Sequence, residues 1–308
     1  MFFLYRIYTS FSIAAAHSHS HSGFDLLDVL LDALLDTAKM LPFLFLAFLL
    51  MEFIEHKAGD KLADFLGKAG KKTAVGSAAG AVLGCIPQCG FSVAAANLYA
   101  GRIVTLGTLI SVFIATSDEA IPVLLAHPEM LGSVWKLIAV KIAAAVIAGI
   151  AADLVIKIFG ISTDGESFED ICTESGCGCG SHGIWYSALK HTLSVGIFIF
   201  IVNLVIGAIM ALAGNEAVEH FIGRMGFFQP FAAGFVGMIP NCAASVLLTE
   251  LYAEGAVSFG TAAAGLCTGA GIGLAVLFRA NKNVKENLII TGIVYAVGVT
   301  CGIILNLF

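Results

Sequence analysis

The chain has 308 residues, of which 58% are hydrophobic and 12% charged, with a mean hydropathy of +0.93. A soluble domain carries about 25% charged residues, and several apolar stretches here reach the roughly 20 residues that cross a bilayer. The composition therefore excludes a soluble globular protein and makes the lipid bilayer the first partner. The net charge of −6 says little, because the position of each Lys and Arg matters more than their sum. No basic cluster carries interleaved aromatic residues, so we expect no nucleic acid as a partner.

Residues 1–36 form an N-terminal segment with two polar features. Histidines alternate with serines at His17, His19 and His21. Such a tract can gather borderline metal ions weakly, and disordered polar filler explains it about as well. Aspartates follow at helical spacing, at Asp25, Asp28, Asp32 and Asp36. These predict a helix that lies at the membrane interface with a solvated acidic face.

The rest of the chain contains an internal repeat. Gly84–Thr108 and Gly237–Thr261 share twelve identities in twenty-five positions without a gap, more than two apolar segments would share by composition alone. The similarity extends weakly to 136–159 and 287–308, which close the two halves. The sequence therefore predicts an all-α integral membrane fold made of two related halves.

Each half has the same predicted plan. The first repeat covers 37–160, a linker 161–185 and the second repeat 186–308. In each repeat we expect a long apolar helix, a re-entrant helical hairpin that carries Pro-x-Cys, a broken spanning helix and a closing helix. The long helices are expected at 37–56 and 186–213, and the broken helices at 105–126 and 258–278.

The Pro-x-Cys segment of the first repeat, Thr73–Gly101, predicts a hairpin because of its length. Pro87, like Pro240 in the second repeat, stops a helix and leaves arms of about 14 residues, or roughly 21 Å, too short for a hydrocarbon core of about 30 Å. Lys72 precedes this segment and Arg102 follows it, so both ends are expected on one basic side. Irregular backbone within a membrane is tolerated only when it is buried in protein or lines a cavity. We therefore expect the tip to be a site.

If the hairpins do not cross, three helices in each half do, and the odd number inverts the second repeat relative to the first. This topology puts eleven of the sixteen Lys and Arg residues inside and four outside, with Lys141 within a helix. That bias is typical of a multi-pass protein of the cell (inner) membrane, and it predicts both termini outside. Ten fully spanning helices give the same sidedness, and only the arm length favours hairpins. Secondary transporters share this plan and bind substrate at the midplane.

The two tips carry the first candidate ligands. Cys89 and Cys242 offer soft sulfur, although a free cysteine is also an ordinary core residue. Their recurrence beside a proline favours a site. The other groups at the tips are Cys85 (a weaker candidate), Gln88, Ser92, Asn241 and Ser245. Asn203, a lone polar group in an apolar helix, is expected to lie at the interface or to hydrogen-bond between helices rather than to bind a ligand.

An acidic interruption in the first broken helix supplies the second set of candidates: Thr116, Ser117, Asp118 and Glu119. Carboxylates inside a bilayer cost several kcal/mol unless they are paired, protonated or metal-bound, so they indicate function; a position near the interface is the alternative. The matching stretch keeps Thr268 and has glycines in place of the acids, which predicts an uncharged break. Lys141 could pair with either acid, and exchanging a lysine or proton for a cation would couple transport to protons.

The linker presents a third group, Cys172, Cys177, Cys179 and His182, in the spacing C-x4-C-x-C-x2-H. In a reducing cytoplasm such residues bind or sense metal more often than they form disulfides. The spacing matches no standard zinc module, and a flexible Gly-rich linker explains the stretch equally well.

The duplicated I-P-x-C-x-x-S-V, the A-T-S-D-E-A-I-P helix and the His- and Cys-rich extras resemble the ten-helix heavy-metal exporters over roughly 35–308. That family is also labelled arsenic-efflux proteins or manganese transporters. The resemblance implies metal efflux with Cys89, Cys242, Asp118 and Glu119 at the substrate site. The plan of hairpin followed by broken helix is also similar to that of arsenite permeases and dicarboxylate transporters, in architecture only.

The sequence thus predicts a transporter of heavy-metal or metalloid ions and not an enzyme. Thiolates choose zinc, copper(I), cadmium or trivalent arsenic, whereas Mn(II) would need the oxygen ligands to dominate. A membrane thiol–disulfide electron conductor that uses Cys89 and Cys242 is the alternative from another class, and a passive channel fits less well. The chain lacks the G-x-x-x-x-G-K-[ST] order of an ATP-binding loop. We therefore expect transport to be coupled to protons, and we expect no cofactor apart from the transported ion. Assembly into a homo-oligomer stays open.

Overall fold

The structure is a computed structural model, which describes residues 26–57, 73–86, 90–116, 120–126, 130–159, 184–213 and 225–307. This part of the chain is all-helical, as predicted. A short 3-10 turn spans Gly226–Phe228. The α-helices are α1 (Leu26–Lys57), α2 (Thr73–Gly84), α3 (Gly90–Ala100), α4 (Leu106–Ala115), α5 (Ala120–Ala126), α6 (Leu131–Phe159), α7 (Ile184–Ala213), α8 (Gln229–Gly237), α9 (Cys242–Ala253), α10 (Phe259–Thr268), α11 (Ile272–Ala280) and α12 (Val284–Leu307).

Four helical segments in the described ranges are long and apolar enough to cross a membrane: Leu131–Ile158, Ala188–Ile209, Phe259–Ala280 and Val284–Leu307. Their length and hydropathy confirm that the protein is embedded in a membrane. The third segment is 83% buried within the protein, against 28% for each of the others. The broken helix of the second half is therefore central, while α6, α7 and α12 lie on the outside of the protein.

The first long helix differs from its prediction. Residues 26–36 were expected to lie at the interface, apart from a spanning helix at 37–56, yet α1 runs without interruption through both and contains Pro42. It packs antiparallel on α7, where a Cβ on Gly196 would lie 2.7 Å from Leu41 Cδ2 and one on Gly207 would lie 3.3 Å from Val29 Cγ1. Small residues let the two backbones approach this closely, and this contact is the physical reason that the acidic segment continues the helix.

The predicted interruptions occur where expected. The hairpin of the second half turns at 238–241, between α8 and α9, and includes Pro240. The break between α10 and α11 covers 269–271, where Gly271 has a φ of 54°. In the first half α4 ends at Ala115 and α5 begins at Ala120. Both hairpins and both breaks thus divide segments that hydropathy alone would leave continuous.

The two halves share specific contacts as well as an order of helices. Thr105 caps α4 by accepting a hydrogen bond from Thr108 N, and Ser258 caps α10 from Thr261 N. The hydroxyl of Thr105 donates to Asp153 at 2.9 Å, and that of Ser258 donates to Asn306 at 2.7 Å. Each partner lies 153 positions from its counterpart. The register of the repeat therefore extends through the closing helices α6 and α12.

Candidate functional site

The centre of the molecule holds a fully buried lysine. Lys141 lies in α6 with 0% of its surface exposed. Its ammonium donates hydrogen bonds to the carbonyl oxygens of Thr116 and Leu266, the second at 2.6 Å. A buried ammonium is very costly unless it is hydrogen-bonded. These two carbonyls therefore explain how an apolar helix can carry this charge inward.

Both carbonyls belong to the C-terminal end of a helix that stops at a break. Thr116 is the C-cap of α4, and Leu266 lies in the last turn of α10. Carbonyls at the C-terminal end of a helix lack partners within the helix and carry its partial negative charge. Lys141 thus joins the broken helix of one half to that of the other. The two carbonyl oxygens share the ammonium of Lys141.

Several predicted oxygen ligands have structural roles. The Thr116 hydroxyl donates to Val112 O at 2.7 Å, and that of Thr268 donates to Gly234 O at 2.8 Å. Ser245 donates to Cys242 O at 2.7 Å, and Asn241 Oδ1 accepts from Ala243 N at 2.9 Å as the N-cap of α9. Because the hydroxyl protons of Thr116, Thr268 and Ser245 serve the backbone, these three side chains offer a ligand only oxygen lone pairs, whereas Asn241 also has the N–H donors of its amide.

The described thiols lie close to the same centre. Cys242 is buried at the first position of α9 and belongs to one apolar cluster with Cys267, against which Cys85 packs. Cys85, Cys267 and Cys301 lie within electrostatic range of the Lys141 ammonium. Among the described residues, no three His, Cys, Asp or Glu side chains form a group that could hold a metal ion.

Cys267 and Cys301 are residues that the sequence interpretation missed. Their thiols lie close to each other across α10 and α12. Cys267 immediately precedes Thr268 at the predicted break, so its position in the repeat could have identified it. Cys301 gave no such signal, because its position next to Cys267 depends on how α12 packs on α10. The two helices pack closely here, since a Cβ on Gly302 would lie 2.5 Å from Ala264 Cβ.

Asn203 was predicted to hydrogen-bond between helices, and the structure contradicts that prediction. The residue is 4% exposed, and neither atom of its amide has a hydrogen-bond partner in the described structure. Its helix, α7, packs on α1 through side chains that offer the amide no hydrogen bond.

The remaining predicted residues lie outside the described residues: Pro87, Gln88, Cys89, Ser117, Asp118, Glu119, His17, His19, His21, Cys172, Cys177, Cys179 and His182. Ser92 is described and is fully buried in α3 against α11, where a Cβ on Gly273 would lie 2.7 Å from Ser92 Cβ. The described site therefore consists of one tip, two helix ends and Lys141.

No protein-family model matches this chain, and neither the curated proteins nor the solved structures include a match. The geometry above is therefore the basis for any functional conclusion.

Proposed function

We propose that this protein is a secondary-active transporter, and not an enzyme, that exports a metal or metalloid ion across the cell (inner) membrane. The observation that carries the proposal is the ammonium of Lys141, bound between the carbonyl ends of two broken helices. Because these carbonyl oxygens already bind the ammonium of Lys141, they are also suited to bind a transported cation. Secondary transporters bind ions at helix breaks of this kind.

The proposal includes an inverted repeat. Contacts group two basic residues: Arg102 bonds Glu286 at the start of α12, and Arg279 donates to Ser194 O at 2.9 Å in the first half of α7. Ser258 contacts Asn306 at the other end of α12, away from Glu286, and therefore marks the opposite face. This sorting supports the positive-inside assignment, with both termini outside.

The ion follows from the side chains available to it. Cys242, with Cys89 from the other tip, supplies sulfur for zinc, cadmium, copper(I) or trivalent arsenic. Cys242 is the first residue of α9, where the partial positive charge of a helix N-terminus stabilises a thiolate. Mn(II) is the alternative, with oxygen from Asp118, Glu119 and the helix-end carbonyls. Coupling to protons would use Asp118, Glu119 and Lys141.

The test is uptake into proteoliposomes with a panel of metals and a controlled pH gradient, comparing wild type with Cys242→Ser and Asp118→Asn. We expect Cys242→Ser to abolish transport of a thiophilic ion and Asp118→Asn to remove the dependence on the gradient. Full transport by a Cys89→Ser/Cys242→Ser variant would select the manganese alternative. Wild type that moves none of the metals would overturn the proposal.

The thiol–disulfide conductor has one observation in its favour, the contact between the Cys267 and Cys301 thiols. A conductor would cycle a disulfide with a thioredoxin-like partner. Trapping a cysteine pair of this chain in a mixed disulfide with such a partner would favour this alternative over the transporter.

A further inference from the structure

The helix α7 carries a buried amide without hydrogen bonds in the described part of the chain, one turn from a glycine that borders the second tip. Asn203 is 4% exposed, and both its Oδ1 and Nδ2 lack hydrogen-bond partners in the described structure. Burying an amide without hydrogen bonds destabilises a fold, and leucine at this position would avoid the cost. A side chain retained against stability is typical of a functional site.

The packing of α7 places this amide. Gly207 follows Asn203 by four residues, so the two share a face of the helix. A Cβ on Gly207 would lie 3.9 Å from Asn241 Nδ2 and 3.3 Å from Val29 Cγ1. The face that carries Asn203 therefore borders both α1 and the tip that bears Cys242.

We propose that Asn203 is a ligand residue of the transported ion, and that its amide oxygen and the Cys242 thiolate together select a borderline divalent cation. This inference rests on the proposed function and refines its substrate class. Mixed oxygen and sulfur ligands suit Zn²⁺ and Cd²⁺, whereas copper(I) and trivalent arsenic prefer sulfur alone.

The test replaces the amide with a side chain of similar volume and measures two properties of the full-length protein in detergent. Without metal, Asn203→Leu should raise the melting temperature by a few degrees, because an idle buried amide is removed. With Cd²⁺ as the probe, equilibrium dialysis should show roughly tenfold weaker binding.

Asn287→Leu is the matched control. Asn287 is fully buried like Asn203, but its amide exchanges hydrogen bonds with Asn281 at 2.7 and 2.8 Å. The Asn287→Leu variant should therefore have a lower melting temperature and an unchanged affinity for Cd²⁺. A melting temperature lowered by Asn203→Leu, or unchanged Cd²⁺ affinity, would overturn the inference and leave the proposed function standing. Wild type that binds no Cd²⁺ would overturn the inference, and only wild type that also transports none of the metal or metalloid ions in proteoliposomes would overturn the proposed function.

A second, independent observation concerns the junctions between the halves. Glu286 binds Arg102 through two hydrogen bonds, at 2.9 and 3.1 Å, and accepts others from Tyr99 and from Asn281 at 3.3 Å. The guanidinium also lies 5.1 Å from the centre of the Tyr99 ring. This cluster ties the end of the first hairpin to the start of α12.

The equivalent junction on the opposite face is much weaker. Positions 153 residues from Tyr99 and Arg102 are Tyr252 and Gly255, and the counterpart of Glu286 is Ser133. There Tyr252 and Ser133 share a single hydrogen bond of 2.8 Å. The backbone is conserved in the repeat, since Arg102 and Gly255 have φ of 58° and 78°. One junction therefore has an ion pair where the other has one neutral contact.

We infer that the Arg102–Glu286 pair is a latch, which holds the transporter closed on the Arg102 face. This inference also rests on the proposed function, since alternating access requires one junction to open at a time. Amide hydrogen exchange tests the latch without a transport measurement. Glu286→Ser, which installs the residue of the weak junction, should speed amide exchange in 97–105 at least tenfold and spare 250–257.

The charge-reversed pair Arg102→Glu/Glu286→Arg is the control, because it restores the ion pair and should restore slow exchange. Ser133→Glu with Gly255→Arg should instead slow exchange in 250–257. Equal acceleration on both faces by Glu286→Ser would mean that the pair serves global stability, and no acceleration would mean that it holds nothing closed; either result would overturn the latch.

Discussion

At the scale of single residues, Lys141 shows how one side chain can hold two helix ends together. Its ammonium satisfies the terminal carbonyls of α4 and α10, and its own burial is complete. Charge-assisted hydrogen bonds contribute about 1.5–3 kcal/mol each, and part of this offsets the desolvation of the ammonium. The sequence marked both Thr116 and Lys141 as unusual. It could not show that a backbone carbonyl joins them, because that carbonyl becomes available only where the helix ends.

Replacing Lys141 by Met should therefore destabilise the protein. The change leaves two buried carbonyls without a donor, and we expect a net loss of about 2 kcal/mol in the free energy of unfolding. Thermal unfolding in detergent measures it. Lys136→Met, an exposed position one to two turns earlier in the same helix, should leave the melting temperature unchanged; an equal shift in both variants would contradict the assigned role.

At the scale of helices, glycines decide how closely the hairpins approach the broken helices. A Cβ on Gly237 would lie 2.0 Å from Gly265 O, and one on Gly84 would lie 2.7 Å from Val112 O. Both distances are to backbone, which cannot rotate away. The sequence repeat contains both glycines, but it could not show why glycine is needed there. That reason lies in the close packing of α8 on α10 and of α2 on α4.

Gly237→Ala should accordingly be among the most destabilising single changes, by about 3 kcal/mol or more. Gly84→Ala should act in the same direction and less strongly. Gly292 lies in α12 with no atom within 4 Å of a built Cβ, so Gly292→Ala should stabilise the helix by about 0.5–1 kcal/mol. Denaturation in mixed micelles compares the three, and tolerance of Gly237→Ala would show that α8 does not pack as described.

At the scale of the whole molecule, the basic ends of the helices converge on one face. Arg102 is paired with Glu286, whose hydrogen bond to the guanidinium raises the pKa of Arg102 above its ordinary value. Arginine is already charged at any physiological pH. A folded-state pKa that is raised contributes stability below the unfolded value and loses it only at strongly alkaline pH. The guanidinium of Arg102 therefore stays charged, and able to pair with Glu286, at every physiological pH.

The orientation of this face can be tested directly. Lys157→Cys and Lys285→Cys should react with an impermeant maleimide only in inside-out vesicles, above the background of native cysteines. Gly255→Cys should react only in intact cells. Labelling of Lys157→Cys and Lys285→Cys from opposite sides would contradict the proposed inversion, because these residues end α6 and begin α12.

The sequence by itself determined the membrane class, the helical content, the duplication and the positions of the breaks, because hydropathy, proline and glycine act locally along the chain. The tertiary structure decided which groups meet. It joined Lys141 to carbonyls and paired Cys267 with Cys301, and it continued the acidic segment into α1. It also left the amide of Asn203 without a hydrogen bond in the part of the chain that the structure describes. Such contacts depend on the register and spacing of helices far apart in the chain, which no local pattern encodes.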